Sequence, residues 1–280
     1  MWNKFPKASE LDRDRFERDM KLPAASIRYV MYFTPRSGSS WLTDIADQTR
    51  RLSIPGECFN PNFLPNMTRA LNASNMDEYI DILRRRRNTR DVFGFQITYH
   101  QLNAVFANRE DFLRRFPEEK CFWLIREDIL LQAISLHKMQ ITQLSHAPQI
   151  SDKDLEKKDK SFKYDKKQIQ RWLEHIRKAE IDTEQLFADQ GLAPYRMSYE
   201  QNTSLRPTRV VNAMGHYLGL DHMKGLKLKT AHRKIGTGTN EAYAERFREE
   251  MSDYMKKIDE DRAPMLAQVK RITQRDAATS

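Results

Sequence analysis

The stretch that decides the reading is residues 27–42, IRYVMYFTPRSGSSWL. Ile27 to Phe33 is one apolar run, long enough for a buried strand and too short for a buried helix. It stops at Pro35 and turns through Arg36-Ser37-Gly38-Ser39-Ser40. Trp41, Leu42, Ile45 and Ala46 then recur at helical spacing, so a helix opens at or just after Ser39. A strand, a tight Gly/Ser loop and a helix start aim backbone N–H groups and a positive helix end at one spot, which suits phosphate or sulfate. Gly38 lets the backbone come close, Ser39 and Ser40 add hydroxyl donors, and Arg36 adds a fixed charge. The pattern G-x-x-x-x-G-K-[ST] is absent, which argues against an NTP-hydrolysing P-loop. The competing reading is an ordinary strand–turn–helix with a solvated serine turn.

Composition narrows the class. The chain has 280 residues, 39% hydrophobic and 31% charged, which fits a globular protein with a wet surface. No apolar run approaches the ~20 residues a membrane helix needs, and residues 1–20 lack a signal-peptide core, so a cytoplasmic location is expected. Cys58 and Cys121 are the only cysteines and form neither a metal spacing nor a disulfide framework. A net charge of +9 and a pI near 9.4 favour polyanionic ligands: nucleotide, nucleic acid or an anionic membrane surface.

Outward from the loop, residues 1–26 read as an N-terminal arm or short helix, and Arg50 to Ile54 as a short second strand. Residues 55–65, PGECFNPNFLP, are a packed loop of the kind that carries specificity. Met76 to Arg87 reads as a helix closing on four arginines, which either bind nucleic acid or form a solvated helix end. DVFGFQITY (91–99) is a further strand, with a helix from Gln101 to Arg115 after it. KCFWLIR (120–126) has the continuous apolar middle of a buried parallel strand, and a helix follows at once. Arg126 therefore sits at the carboxyl edge of the sheet, where open α/β sheets bind ligands, or it pairs with Asp128 on the surface. Residues 146–168 are Lys-rich and aperiodic, a mobile loop or lid. A long amphipathic helix runs from Gln168 to Gln190, a strand from Tyr195 to Tyr199 and a helix from Arg206 to Leu218. Residues 224–234 hold five Lys/Arg and no acid, next to a Gly/Thr loop, and form a second candidate anion site. A charged helix begins at Glu241. Residues 27–270 make one domain, and 271–280 a disordered tail.

Three pieces now stand in order: PRSGSSWL, R-E-D-x3-Q-A-I-S and HRKIGTG. Together they resemble sulfotransferases that use 3′-phosphoadenosine 5′-phosphosulfate (PAPS), most closely the bacterial trehalose 2-sulfotransferase family. The resemblance spans about residues 27–250. It implies the sulfotransferase fold, a P-loop-like three-layer α/β architecture with a central parallel sheet flanked by helices. It also implies transfer of a sulfuryl group from PAPS to a hydroxyl of a carbohydrate or glycolipid, and a homodimer. By the same resemblance Arg36, Ser37, Gly38, Ser39, Ser40 and Trp41 hold the 5′-phosphosulfate. Arg126 and Ser135 hold the 3′-phosphate, and Arg233, Lys234 and Gly236 complete that pocket.

One departure matters. The trehalose enzymes carry two glutamates three residues apart after the first loop, the second being the base. Here Glu57 matches the first, and Asn60 stands at the second. The proton acceptor is therefore Glu57, or His100 at the end of the third strand, or neither. Sulfuryl transfer needs positioning and charge stabilisation rather than a metal, in keeping with the lack of a carboxylate cluster. Two other classes compete: a nucleotide-dependent kinase-like transferase, and a non-enzymatic binder of nucleic acid or anionic surfaces. The first needs a P-loop lysine and a Mg²⁺ carboxylate. The second needs steeply salt-dependent binding with no preference for a 3′-phosphate.

Overall fold

The apolar run from Ile27 becomes the second strand of a parallel sheet in the computed structural model, which describes residues 2–117, 119–143, 161–221, 223–229 and 238–272. Among these residues the strands are β1 (Ile27–Phe33), β2 (Val92–Ile97), β3 (Lys120–Ile125) and β4 (Tyr195–Ser198). Their order is β2-β1-β3-β4, and every neighbouring pair is parallel. The sheet is buried on both faces, so the continuous apolar run of β1 splits by parity. Val30 and Tyr32 enter one cluster with Phe93, Phe95, Trp123 and Phe187. Tyr29, Met31 and Phe33 enter the other with Leu42, Ile45, Val210 and Met214.

The helices are α1 (Arg13–Met20), α2 (Ser39–Gln48), α3 (Leu64–Ala70), α4 (Met76–Arg86), α5 (Tyr99–Val105), α6 (Arg109–Arg115) and α7 (Ile129–Thr142). After them come α8 (Lys166–Asp189), α9 (Tyr199–Ser204), α10 (Pro207–Leu218), α11 (Gly238–Glu250) and α12 (Ser252–Leu266). Helices α4, α5 and α6 cover the first face, and α2 and α10 the second. A third apolar cluster joins α7, α8, α11 and α12. This is the expected three-layer α/β architecture with a central parallel sheet. No helix among the described residues is long and apolar enough to cross a membrane.

Gly94 explains how β2 packs so closely on β1. It is paired with Tyr29, and a Cβ built there would lie 2.1 Å from the Tyr29 ring. The Tyr29 hydroxyl donates to the Leu52 carbonyl at 2.7 Å, so the ring has no room to retreat. Gly94→Ala is expected to destabilise the fold by about 1–3 kcal/mol through overpacking, read from a lower midpoint in urea unfolding.

Several sequence expectations are corrected. Arg50–Ile54 is not a strand: Arg50 (φ 52°) and Ser53 (φ 63°) are left-handed, which breaks any extended run. The helix expected over Gln101–Arg115 is two helices, because Asn108 accepts the Asp111 N–H and starts α6 afresh. Arg84 donates to the Arg115 carbonyl and to Glu119, Arg85 donates to the Leu22 carbonyl, and Arg86 lies 3.5 Å from Asp19. Those three arginines thus tie α4 to its neighbours.

Phe59 is fully buried among Tyr79, Phe95, Phe106 and Phe116, whereas Phe63 is exposed. Of the expected 146–168 loop, residues 146–160 lie outside the described residues; Phe162 is buried, and Asp165 caps α8, which starts two residues earlier than the periodicity suggests. At the carboxyl end Ile272 is buried and its N–H donates to Gln201, and residues 273–280 lie outside the described residues.

Candidate active site

From β1 the chain runs to β2 on one side and then to β3 on the other, so the crevice between the carboxyl ends of β1 and β3 is the topological switch point of the sheet. The Pro35–Ser40 loop occupies it. Arg36 (φ 67°) and Gly38 (φ 86°) are both left-handed. For a non-glycine residue that conformation costs on the order of 1 kcal/mol or more, and such strain collects at ligand-binding turns. Gly38 is the N-cap of α2 and places no side-chain cap on it, so the first N–H groups of the helix face the crevice. Ser37 is fully buried, with a hydroxyl that finds no hydrogen-bond partner among the described residues. Ser39 is buried and Ser40 half-buried, while Trp41 packs against the second core cluster and anchors the helix start.

Residues far apart in sequence meet here. Arg36 Nε donates to Ser135 Oγ at 3.0 Å, and Arg126 Nη1 donates to the Arg36 carbonyl at 3.1 Å. The Arg126 guanidinium lies over the Tyr199 ring at 4.9 Å, with Nε 3.6 Å from Glu200. Glu200, not Asp128, is thus the ionic partner of Arg126; Asp128 accepts the Leu131 N–H and caps α7. Tyr199 also packs on Gly38: a Cβ there would lie 2.4 Å from its ring. Gln132 donates to Thr34 Oγ1 at 2.8 Å and to the Pro35 carbonyl at 2.7 Å, bolting α7 to the loop. Burial, then the charge of Arg126, lowers the pKa of Arg36, against a smaller upward pull from Tyr199. Two arginines gathered at one crevice favour an anion beside them.

Glu57 sits on the β2 side of the loop. Its neighbour Gly56 bridges to Phe95 and accepts the Gln96 N–H at 3.1 Å, so residues 56–57 leave the sheet beside the carboxyl end of β2. Glu57 Oε2 accepts from Asn60 at 2.7 Å and from Gln101 at 2.6 Å. Asn60, the residue at the second glutamate position, is therefore a donor that orients Glu57.

His100 does not end a strand, as the sequence suggested; it is the second residue of α5. Its ring stacks on His175 of α8 at 4.3 Å and 14°. His137 packs on Phe162 at 5.3 Å inside the helical layer. Arg233, Lys234 and Gly236 lie outside the described residues.

Burial lowers the pKa of His100 below the ordinary 6.5, with Asp182 pulling it up and Lys178 down. Burial also lowers that of His137, against upward pulls from Asp165 and the Lys163 backbone. On acidification the unfolded chain binds protons near pH 6.5 that the folded chain refuses, so stability is full above that value and falls below it. Melting temperature is expected to decline as the pH drops from 6.5 towards 5. His100→Asn with His137→Gln should make that acid limb shallower, leaving the part from His175, whose pKa burial also lowers.

Sequence reasoning missed Gln101, Tyr199 and Glu200, and gave no role to Gln132 although it stands in R-E-D-x3-Q-A-I-S. Gln101 carried a signal, the T-x-x-Q capping box that opens α5. Tyr199 and Glu200 directly follow β4, at the same carboxyl edge as Arg126.

A doubly wound parallel sheet with two arginines and a strained Ser/Gly turn at its switch point defines an α/β protein with a candidate anion-binding loop. The chain belongs to the Stf0 sulphotransferase family, whose family model matches residues 28–250, and it is a sulfotransferase. Comparison with curated proteins finds no match.

Proposed function

We propose that the protein moves a sulfuryl group from PAPS to a hydroxyl of a carbohydrate or glycolipid acceptor. The observation that carries this reading is the convergence of Arg36, Ser135 and Arg126 at the switch point, in contact though far apart in the chain. The residues fit such a donor: the buried Ser37 hydroxyl has no hydrogen-bond partner among the described residues, the α2 N-terminus has no side-chain cap, and Arg126 reaches the backbone carbonyl of Arg36. When bound, PAPS supplies the activated sulfuryl group and the adenosine 3′,5′-bisphosphate leaving group.

In this reading Arg36 and the N–H groups after Gly38 hold the 5′-phosphosulfate and steady charge as the bridging bond lengthens. Arg126 and Ser135 hold the 3′-phosphate, and Arg233, Lys234 and Gly236 add to that grip. Glu57 takes the proton of the acceptor hydroxyl on a carboxylate oriented by Asn60 and Gln101. His100, whose ring stacks on His175, is the alternative acceptor.

Thermal shift with adenosine 3′,5′-bisphosphate, ATP and AMP tests the donor. At 100-fold its Kd the bisphosphate should add about 2.7 kcal/mol of stability, well beyond the other two at equal concentration. Equal shifts would overturn the reading. Transfer of labelled sulfate across sugars and lipid-linked glycans then identifies the acceptor.

A further inference from the structure

The turn Arg126-Glu127-Asp128 joins β3 to α7 and carries the arginine that the proposed donor site depends on. The last register pair of β3 with β4 is Ile125–Ser198, and α7 starts at Ile129. The backbone groups between lie outside both ladders and need other partners.

Two side chains supply them from opposite sides. Glu200 of α9 accepts the Glu127 N–H at 2.8 Å and the Asp128 N–H at 3.4 Å. Arg262 of α12 donates to the Arg126 carbonyl at 2.6 Å through Nη2 and to the Glu127 carbonyl at 2.7 Å through Nη1. The rest of its guanidinium is gripped by Glu180 of α8, with Nε at 3.0 Å and Nη2 at 2.9 Å. Arg262 and Glu180 side chains are each 1% exposed. A buried ion pair is by itself weak evidence for stability, since desolvation offsets the attraction. What distinguishes this one is the rigid planar fork, with one edge on the carboxylate and the other on two successive carbonyls of the site's own turn.

We infer that Arg262 is a positioning residue for Arg126: it fixes the β3–α7 turn so that the Arg126 guanidinium is held for a nucleotide 3′-phosphate. Helix α12 lies beyond residues 28–250 that match the family model, so the donor site of this chain is completed by a segment outside that match. The inference rests on the proposed role of Arg126. A displacement of about 1 Å in such a group can cost up to roughly a hundredfold.

The test is calorimetric titration of the full chain with adenosine 3′,5′-bisphosphate and with AMP, which lacks the 3′-phosphate. Three variants are compared with the wild type: Arg262→Gln, Arg262→Lys and Glu180→Gln. The Arg262→Gln variant is expected to lose bisphosphate affinity roughly tenfold or more, with AMP affinity changed less than about threefold. Should that variant fail to fold, Arg262→Lys decides. It keeps the charge beside Glu180, but one ammonium cannot replace a fork on two carbonyls, so the ratio of the two affinities should still fall about fivefold.

Glu180→Gln, which leaves both carbonyl bonds possible, should lower the melting temperature and preserve the ratio. A folded Arg262 variant with the wild-type ratio would overturn the inference and leave the reading of Arg126 standing. A wild-type protein that fails to distinguish the two nucleotides would overturn that reading, and this inference with it.

Discussion

Arg36→Ala is expected to lower kcat/KM by about 10²–10³-fold, the usual cost of removing one donor aimed at developing charge in a closed site, near 2.7–4 kcal/mol. The expectation follows from where the side chain is held. Ser135 fixes its Nε, Arg126 fixes its carbonyl, and its own backbone is held left-handed. Arg36→Lys should recover only part of the loss, because an ammonium keeps the charge and discards the planar fork. Initial rates with labelled donor, at varied donor and fixed acceptor, give the measurement. Activity within threefold of wild type in Arg36→Ala would remove the residue from the transition state.

Glu57→Gln separates chemistry from binding. A glutamine keeps the shape that Asn60 and Gln101 surround but cannot take a proton at neutral pH, so kcat should fall about 10²–10⁴-fold. The Kd for adenosine 3′,5′-bisphosphate should stay within about twofold, because none of the proposed donor contacts is touched. Gln101→Ala should give a smaller fall in kcat by freeing the carboxylate from one of its two donors. If turnover survives Glu57→Gln while His100→Ala abolishes it, the proton acceptor is His100.

Much of the fold was legible because its determinants are local. The run from Ile27 to Phe33 is too apolar to have a wet face, and KCFWLI repeats the pattern, so buried parallel strands followed without any knowledge of their neighbours. The strand–turn–helix unit was legible for the same reason: Pro35, Gly38 and the serines define a turn within six residues, whatever surrounds it.

Where the local reading went astray, a distant group outweighed local preference. Arg50–Ile54 has strand-compatible residues, but Leu52 must meet the Tyr29 hydroxyl, and the backbone turns left-handed to deliver it. The packed loop 55–65 left open which of its rings are core; Phe59 is, enclosed by four rings, and Phe63 is exposed.

Local pattern alone set the class of sheet, the strand–loop–helix unit around Gly38, and Arg36 and Arg126 as candidate anion ligands; Ser135 was singled out by the family resemblance. Short-range periodicity and turn chemistry need only a few neighbouring residues to take effect. Only the tertiary structure decided that those three touch, that Asn60 serves Glu57 as a hydrogen-bond donor, and that Arg262 reaches the Arg126 turn from the far end of the chain. Each of those is a contact across tens of residues or a matter of side-chain direction. The strand order β2-β1-β3-β4 and the packing of α12 create them, and neither is written in any local window of residues.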